Sequence, residues 1–380
     1  MTTPLLGRIA KEVEARGPIS IERYWQIALF DRRHGYYSSR EPFGRGGDFV
    51  TAPEVSQMFG ELLGAWVAAA WEGLGAPNPF LLAEIGPGRG TLMADMLRTL
   101  RKSAPHCMAA SRIRLVETSE RLAALQAVKL EGFDLPIKRV RGVEELETLP
   151  AIVVANELFD AIAIRQFVHQ QGKWHERRIG LNGEGALEFV IIPLEADEAE
   201  AIAGIAANSA KPLPHSEEGA ILEVSPAREA LASTLAERLA THGGAGLFID
   251  YGHGMTGFGD TFQAMSEHRY VSVLDGPGEA DLTSHVDFAR LAACFADKGL
   301  SVAPLVGQGP FLLSLGLLER AGRLGAPLGE AGREAIRADV QRLAGNGPKD
   351  MGDLFKILAV ASAPLPLPPF TLRPGDGFAN

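Results

Sequence analysis

A chain of 380 residues, 46% hydrophobic and 22% charged, is long enough for two or three domains of ordinary size, or for one enlarged α/β domain with a large buried core. Its 37 basic residues against 47 acidic ones leave a net charge of −10 with no lysine- or arginine-rich block, which argues against nucleic acid or an anionic membrane surface as partner and mildly favours a basic protein segment. Two distant cysteines, Cys107 and Cys294, build neither a disulfide framework nor a metal site, no apolar run approaches the roughly 18 residues of a bilayer span, and the start resembles neither a secretory nor a transit peptide, so a soluble cytoplasmic protein is expected.

In chain order, residues 5–15 and 20–31 read as helices separated by the Gly17–Pro18 break. A polar, glycine-rich stretch, 32–54, ends in Thr51-Ala52-Pro53-Glu54, where Thr51 is expected to cap a helix running to about Glu72 and Glu54 to complete a capping box. From Phe80 the pattern alternates: strands at 80–85, 112–117, 137–142 and 151–157, helices at 91–102 and 119–130. Such alternation predicts a mostly parallel sheet with helices on both faces. After Asp160 it is interrupted by antiparallel-looking strands at 162–181 and 187–194 and an alanine-rich helix at 195–210. The wound pattern is expected to resume with a strand at 220–224, a helix at 225–241 and a strand at 246–252. Helices at 287–299 and 333–345, a strand at 354–362 and a proline-rich extended segment complete the chain. The organisation expected is an N-terminal helical lid, 1–78, half of a Rossmann-like domain, 79–160, an insertion, 161–219, the remainder of that domain, 220–365, and a tail, 366–380.

The first crossover carries the chemistry. Glu84-Ile85-Gly86-Pro87-Gly88-Arg89-Gly90 follows the first parallel strand and opens a helix, so backbone can approach a ligand there and the helix start supplies unpaired N–H groups. A P-loop is excluded by the missing Gly-Lys-Ser/Thr ending, and the dinucleotide fingerprint would need a glycine where Thr91 stands. Glu84, two residues before the first glycine, would repel a pyrophosphate but attract the ammonium of a bound amino acid. The segment matches the E/D-x-G-x-G-x-G signature of class I S-adenosylmethionine-dependent methyltransferases at every fixed position. Glu117, ending the next strand, is placed to accept hydrogen bonds from both ribose hydroxyls. The alternatives are a merely structural tight turn and another nucleotide-type ligand.

Asn156 and Glu157 close the fourth strand, the end that faces the transferred methyl in methyltransferases of this class, and Asp160 follows three residues on. Asp160 also suits a plain loop cap, as Glu54 suits its capping box. Asp250, Tyr251 and His253 end another strand and are weaker candidates for the acceptor side. His285 lacks a second histidine at ligand spacing, so no metal is expected. Tyr36, Tyr37 and Gly44–Gly47 suit a mobile flap.

The segments GDFVTAPEVSQMFGELLGAW, EIGPGRGTLMADML, VETSERLAALQ, ANELFDAIAIRQF, FIDYGH, GDTFQA, DLTSHVDFARL and MGDLFKILAV together resemble the MidA-like methyltransferases, over about Ile19 to Ala361. The resemblance implies a class I methyltransferase fold, S-adenosylmethionine as cofactor and, from the family's mitochondrial complex I assembly factor, symmetric dimethylation of an arginine in a 49-kDa-type subunit of complex I. It implies Gly86, Gly88, Gly90, Glu117 and Asn156 as cofactor contacts and Thr51, Pro53, Glu54 and Ser56 at the mouth of the site. Ala163 departs from the proline expected there, which bears on loop shape. The implied location is a bacterial cytoplasm, or the mitochondrial matrix in a eukaryote. An arginine acceptor is protonated, so carboxylates must hold its fork and take up a proton; Glu157, helped by Glu54 or Asp160, is the expected set. Methylation of a small molecule, or a noncatalytic chaperone that merely binds the cofactor, are the alternatives.

Overall fold

The computed structural model describes residues 3–39, 51–209, 217–365 and 369–370. The chain divides into two compact units, one of residues 1–49, 159–230 and 253–290, the other of 50–158, 231–252 and 291–380.

The second unit holds the wound sheet. A single helical turn, α1 (Ala52–Val55), and a long helix, α2 (Gln57–Gly73), precede β1 (Phe80–Ile85). Then come α3 (Thr91–Ser103), β2 (Ser111–Val116), α4 (Glu120–Leu130), β3 (Ile137–Val140), β4 (Ala151–Asn156), β5 (Gly244–His253) and β6 (Phe355–Ala361). The sheet runs β3-β2-β1-β4-β5-β6, parallel from β3 through β5, with β6 antiparallel to β5 and Ser301–Val302 on its outer edge. All six residues of β1 are buried, as a central strand covered on both faces requires, whereas the edge strand β3 buries only Val140. Helix α2 lies unusually close to α3: a Cβ on Gly60 would stand 2.5 Å from Asp95 Cβ, and one on Gly64 would stand 2.9 Å from the Met96 carbonyl oxygen. Trp66, Phe80, Met96, Leu97 and Phe311 are among the core residues of this unit.

The strand order reverses between β1 and β4, so the carboxyl ends of these two strands flank the crevice where an open sheet of this kind receives its ligand. Both elements that sequence reasoning marked for chemistry, the glycine loop and the Asn156–Glu157 strand end, fall at this point.

The first unit joins segments far apart in sequence. Helices Pro4–Arg16 and Ile21–Phe30 share a core with an antiparallel sheet in which Ile19 pairs with Ile179 and Lys173–Leu181 pairs with Arg165–Gln170 and Leu187–Pro193. Trp25 is wholly buried there, stacked on Phe262 with ring centroids 5.2 Å apart and donating its indole N–H to the Ala161 carbonyl at 2.9 Å. The strand expected to restart the wound sheet belongs here instead: Ile221–Val224 pairs antiparallel with Arg165–Gln170. Its burial alternates, with Leu222 and Val224 inside, whereas the central parallel strands are buried almost throughout. A four-residue apolar run could not signal which sheet it joins.

Tyr36 and Tyr37 stand on the short turn Tyr36–Ser39; Tyr36 is fully buried, and the Tyr37 hydroxyl donates to Asp281 Oδ2 at 3.3 Å. Tyr36 belongs to the core of its unit and Tyr37 packs against that core, rather than forming an open flap, and Gly44–Gly47 lie outside the described residues.

Candidate active site

The glycine loop takes a backbone path that side chains avoid. Gly86, Gly88 and Gly90 have φ of +66°, +50° and +77°, and a Cβ on Gly86 would come within 3.1 Å of Leu158 Cδ1. The Gly86 N–H donates to the Val116 carbonyl at 3.1 Å, and the Gly90 N–H returns to Pro87 at 2.7 Å, which closes the turn. Helix α3 then starts at Thr91 with no side-chain cap from Gly90.

Glu84 lies beneath this turn, 3% exposed, accepting the Met93 N–H. Its Oε2 is buried with no partner among the described residues. Burial pushes the carboxyl up to about 8, and the nearby Glu117 adds to the effect. Such an acid stays protonated at neutral pH until a cation, such as an amino acid's ammonium, arrives beside it.

Glu117 caps the neighbouring strand and is firmly held. Its N–H donates to the Val140 carbonyl at 2.9 Å, Oε1 accepts from Ser119 N at 2.7 Å, and Oε2 accepts from Gln126 Nε2 at 3.1 Å. Arg139 Nε donates to the Glu117 carbonyl at 2.7 Å. Burial raises this carboxyl too, opposed by the Ser119 and Gln126 hydrogen bonds. Gln126 escaped sequence reasoning, although it occupies the i+4 step between Leu122 and Leu130 on the buried face of α4. An amide within an apolar stripe was the available signal.

At the end of β4, Asn156 Nδ2 donates to Glu157 Oε1 at 2.9 Å, and the Ala52 N–H donates to the same oxygen at 3.3 Å. Asn156 Oδ1 is buried without a partner among the described residues. Glu157 has φ +51°, a left-handed conformation that costs a non-glycine residue about 1–3 kcal/mol, and its N–H is fixed to the Ile249 carbonyl at 2.9 Å.

The capping box expected at Thr51 and Glu54 does not form. Thr51 makes no side-chain cap bond, α1 stops after one turn because Ser56 is extended (φ −157°), and Ser56 caps α2 instead. Glu54 Oε1 accepts from the Thr91 hydroxyl at 2.6 Å, and the Lys129 ammonium donates to Thr91 Oγ1 at 2.9 Å. The threonine that breaks the dinucleotide pattern thus ties Glu54 to the start of α3. Thr51 is half-buried and Pro53 buried on the turn whose Ala52 amide reaches Glu157.

Asp160 lies in the first unit, buried, with its carbonyl accepting from Arg228 at 3.2 Å. Tyr37 titrates well above the ordinary phenol range, chiefly through burial and then through the charges of Asp281 and Asp160. Asp250 is fully buried and accepts the Tyr251 N–H at 2.9 Å, while the Tyr251 ring packs edge-on against Phe355. His253 Nδ1 is bonded to the Met255 carbonyl at 2.8 Å, and burial depresses the His285 imidazole. No three His, Cys, Asp or Glu side chains among the described residues converge as a metal site.

A wound sheet whose first crossover is a glycine loop, with a buried carboxylate before it, another at the end of β2 and an asparagine at the end of β4, defines the class I S-adenosylmethionine-dependent methyltransferases. The residues present fit that cofactor, because buried acceptors on Glu84 and Asn156 have no partner among the described residues and the three loop glycines carry no side chain to keep a ligand from the backbone. The chain belongs to a family of S-adenosyl-L-methionine-dependent methyltransferases, whose sequence pattern it matches over residues 62–306. It is 33% identical over 387 residues to the protein arginine methyltransferase NDUFAF7, mitochondrial, of Homo sapiens, covering 94% of this chain and 83% of the human protein. To the Drosophila melanogaster homolog it is 34% identical over 383 residues, covering 93% and 85%. A Burkholderia thailandensis protein crystallised with S-adenosylhomocysteine has the same fold at a TM-score of 0.77, with 26% identity over 95% of this chain and 94% of that one. The protein is an S-adenosylmethionine-dependent methyltransferase of class I fold, and no helix among its described residues is long and apolar enough to cross a membrane.

Proposed function

We propose that this methyltransferase modifies an arginine side chain of a protein, by symmetric dimethylation, and that its substrate is a 49-kDa-type subunit of respiratory complex I during assembly, in a bacterial cytoplasm. The observation that carries the reading is Glu157, a carboxylate preset at the end of β4 by Asn156 and the Ala52 amide on a strained backbone. The names of the relatives above support the arginine acceptor.

S-adenosylmethionine supplies the methyl group on a sulfonium, activated for displacement. The protein's task is to present a guanidine nitrogen with its lone pair free in line with it and to exclude water. A guanidinium is protonated at any physiological pH, with a pKa above about 12, so its lone pair becomes available only as a proton departs. Glu157 holds the fork through its carboxylate and takes that proton while the nitrogen–carbon bond forms and the carbon–sulfur bond breaks. Glu54, fixed by Thr91, would add negative potential at the same mouth, and Glu84 and Glu117 would hold the ammonium and ribose ends of the cofactor.

The test is transfer of labelled methyl from S-adenosylmethionine into a lysate lacking this protein, read by mass spectrometry. Label on an arginine of the 49-kDa-type subunit supports the proposal. Label confined to small molecules makes the enzyme a small-molecule methyltransferase, and no transfer despite tight cofactor binding makes it an assembly chaperone.

A further inference from the structure

We propose that Gln126 is a positioning residue that clamps the glycine loop to the ribose-binding carboxylate, so that cofactor affinity depends on an amide that does not itself react. The inference rests on Glu117 as the ribose acceptor.

Gln126 is 1% exposed, and its single amide nitrogen reaches two partners, the Gly88 carbonyl at 2.7 Å and Glu117 Oε2 at 3.1 Å. Both partners are acceptors, so the orientation of the amide is dictated by chemistry: the nitrogen must face them. Its Cγ lies 3.4 Å from where a Cβ on Gly90 would stand, so the side chain also forms the floor under the last glycine of the loop. One residue on α4 therefore touches the second glycine, the third glycine and the carboxylate of the adjoining strand. A cleft of about 320 Å³ opens beside it, lined by Leu115, Ala123, Gln126, Ala127, Ile137 and Arg139. The two hydrogen bonds tie helix, loop and Glu117 together.

Those bonds matter through where they leave Glu117. Ser119 N fixes Oε1 and Gln126 fixes Oε2, which aims the remaining lone pairs of both oxygens. Loss of the Gln126 donor frees the Oε2 side to rotate and removes a hydrogen bond that favours the ionised acid.

The experiment compares Gln126→Met, of similar volume without the donor, and Gln126→Leu, shorter and likewise without it, with wild type. Binding of S-adenosylhomocysteine and of its 2′-deoxyribose analogue is measured by calorimetry. In the wild type the analogue should bind at least about tenfold more weakly, the worth of a hydrogen bond to a charged acceptor. Both variants should weaken S-adenosylhomocysteine by about 10- to 100-fold, should raise KM far more than they lower kcat, and should largely erase the difference between the two ligands. Affinity within twofold of wild type, or equal weakening of both ligands with the difference preserved, overturns the role of Gln126. Absence of that difference in the wild type instead overturns Glu117 as the ribose acceptor. Should the Met variant fail to fold, the Leu variant carries the same comparison.

Discussion

Replacing Glu84 by glutamine separates what this carboxyl costs the empty enzyme from what it gives the occupied one. The unfolded chain releases its proton near 4.5, while the folded, ligand-free enzyme keeps it to about 8. The folded state therefore binds the extra proton between these values, so Glu84 favours folding at acid pH and that contribution is lost as pH rises through 8. At about 1.4 kcal/mol for each tenfold, the loss between pH 5 and pH 8 is on the order of 3 kcal/mol, undiscounted because the group is 3% exposed. Glutamine keeps the shape and never ionises. In urea unfolding of the ligand-free proteins, the two should be nearly equal at pH 5, and Glu84→Gln should be more stable at pH 8 by on the order of 3 kcal/mol. Taking the difference between variant and wild type cancels the other titrating groups. Saturating S-adenosylhomocysteine should reverse the order at pH 8, because its ammonium pairs with the ionised carboxylate and has no charged partner in the variant. Parallel stability–pH curves for the two ligand-free proteins would refute a buried, protonated Glu84. Equal ligand affinities would refute its role at the ammonium.

Two substitutions test other parts of the molecule. Glu157→Gln should leave S-adenosylhomocysteine affinity within a few-fold and lower kcat for arginine methylation by at least about a hundredfold, the usual contribution of a positioned base; normal turnover removes Glu157 from the proton transfer. Arg114, 5% exposed, donates Nε to both carboxylate oxygens of Glu147 and holds that acid down to about 2. Arg114→Met should cost about 1–3 kcal/mol at neutral pH, reduced because Glu147 is a third exposed and can rehydrate. That difference should shrink as pH falls from 4.5 toward 2, where the Glu147 contribution is lost in the wild type as well; a difference constant down to pH 2.5 would mean that the ion pair is not its source.

The parts of this fold that a reader of the sequence could foresee are those where one local pattern has one structural solution. Phe80–Ile85 and Ala151–Asn156 are apolar throughout or nearly so, and runs this short between turn residues suit a strand covered on both faces; their positions on either side of the switch point then set the site. Glu54 was illegible for the opposite reason. Its spacing from Thr51 suits a capping box, and nothing local reveals that Ser56 will end the helix after one turn and free the carboxylate for Thr91. Ile221–Val224 failed likewise, since strand pairing over dozens of residues is decided by tertiary packing. The union of the N-terminal helices with strands beyond residue 160 rests on pairs such as Ile19 with Ile179, which periodicity cannot foretell.

The unpartnered acceptors say more about the ligand than the glycines do. Glu84 Oε2, Gln126 Oε1 and Asn156 Oδ1 are buried without donors among the described residues, and all three belong to side chains at the carboxyl ends of β1 and β4 or directly beneath the loop. Each such atom costs about 1–3 kcal/mol in the empty protein. A pyrophosphate would bring more acceptors to this place and find few donors beyond the start of α3. S-adenosylmethionine brings an ammonium and two ribose hydroxyls, which are donors. The same glycine-rich turn thus serves opposite ligands in different proteins, and the acids and amides packed behind it decide which one this protein takes.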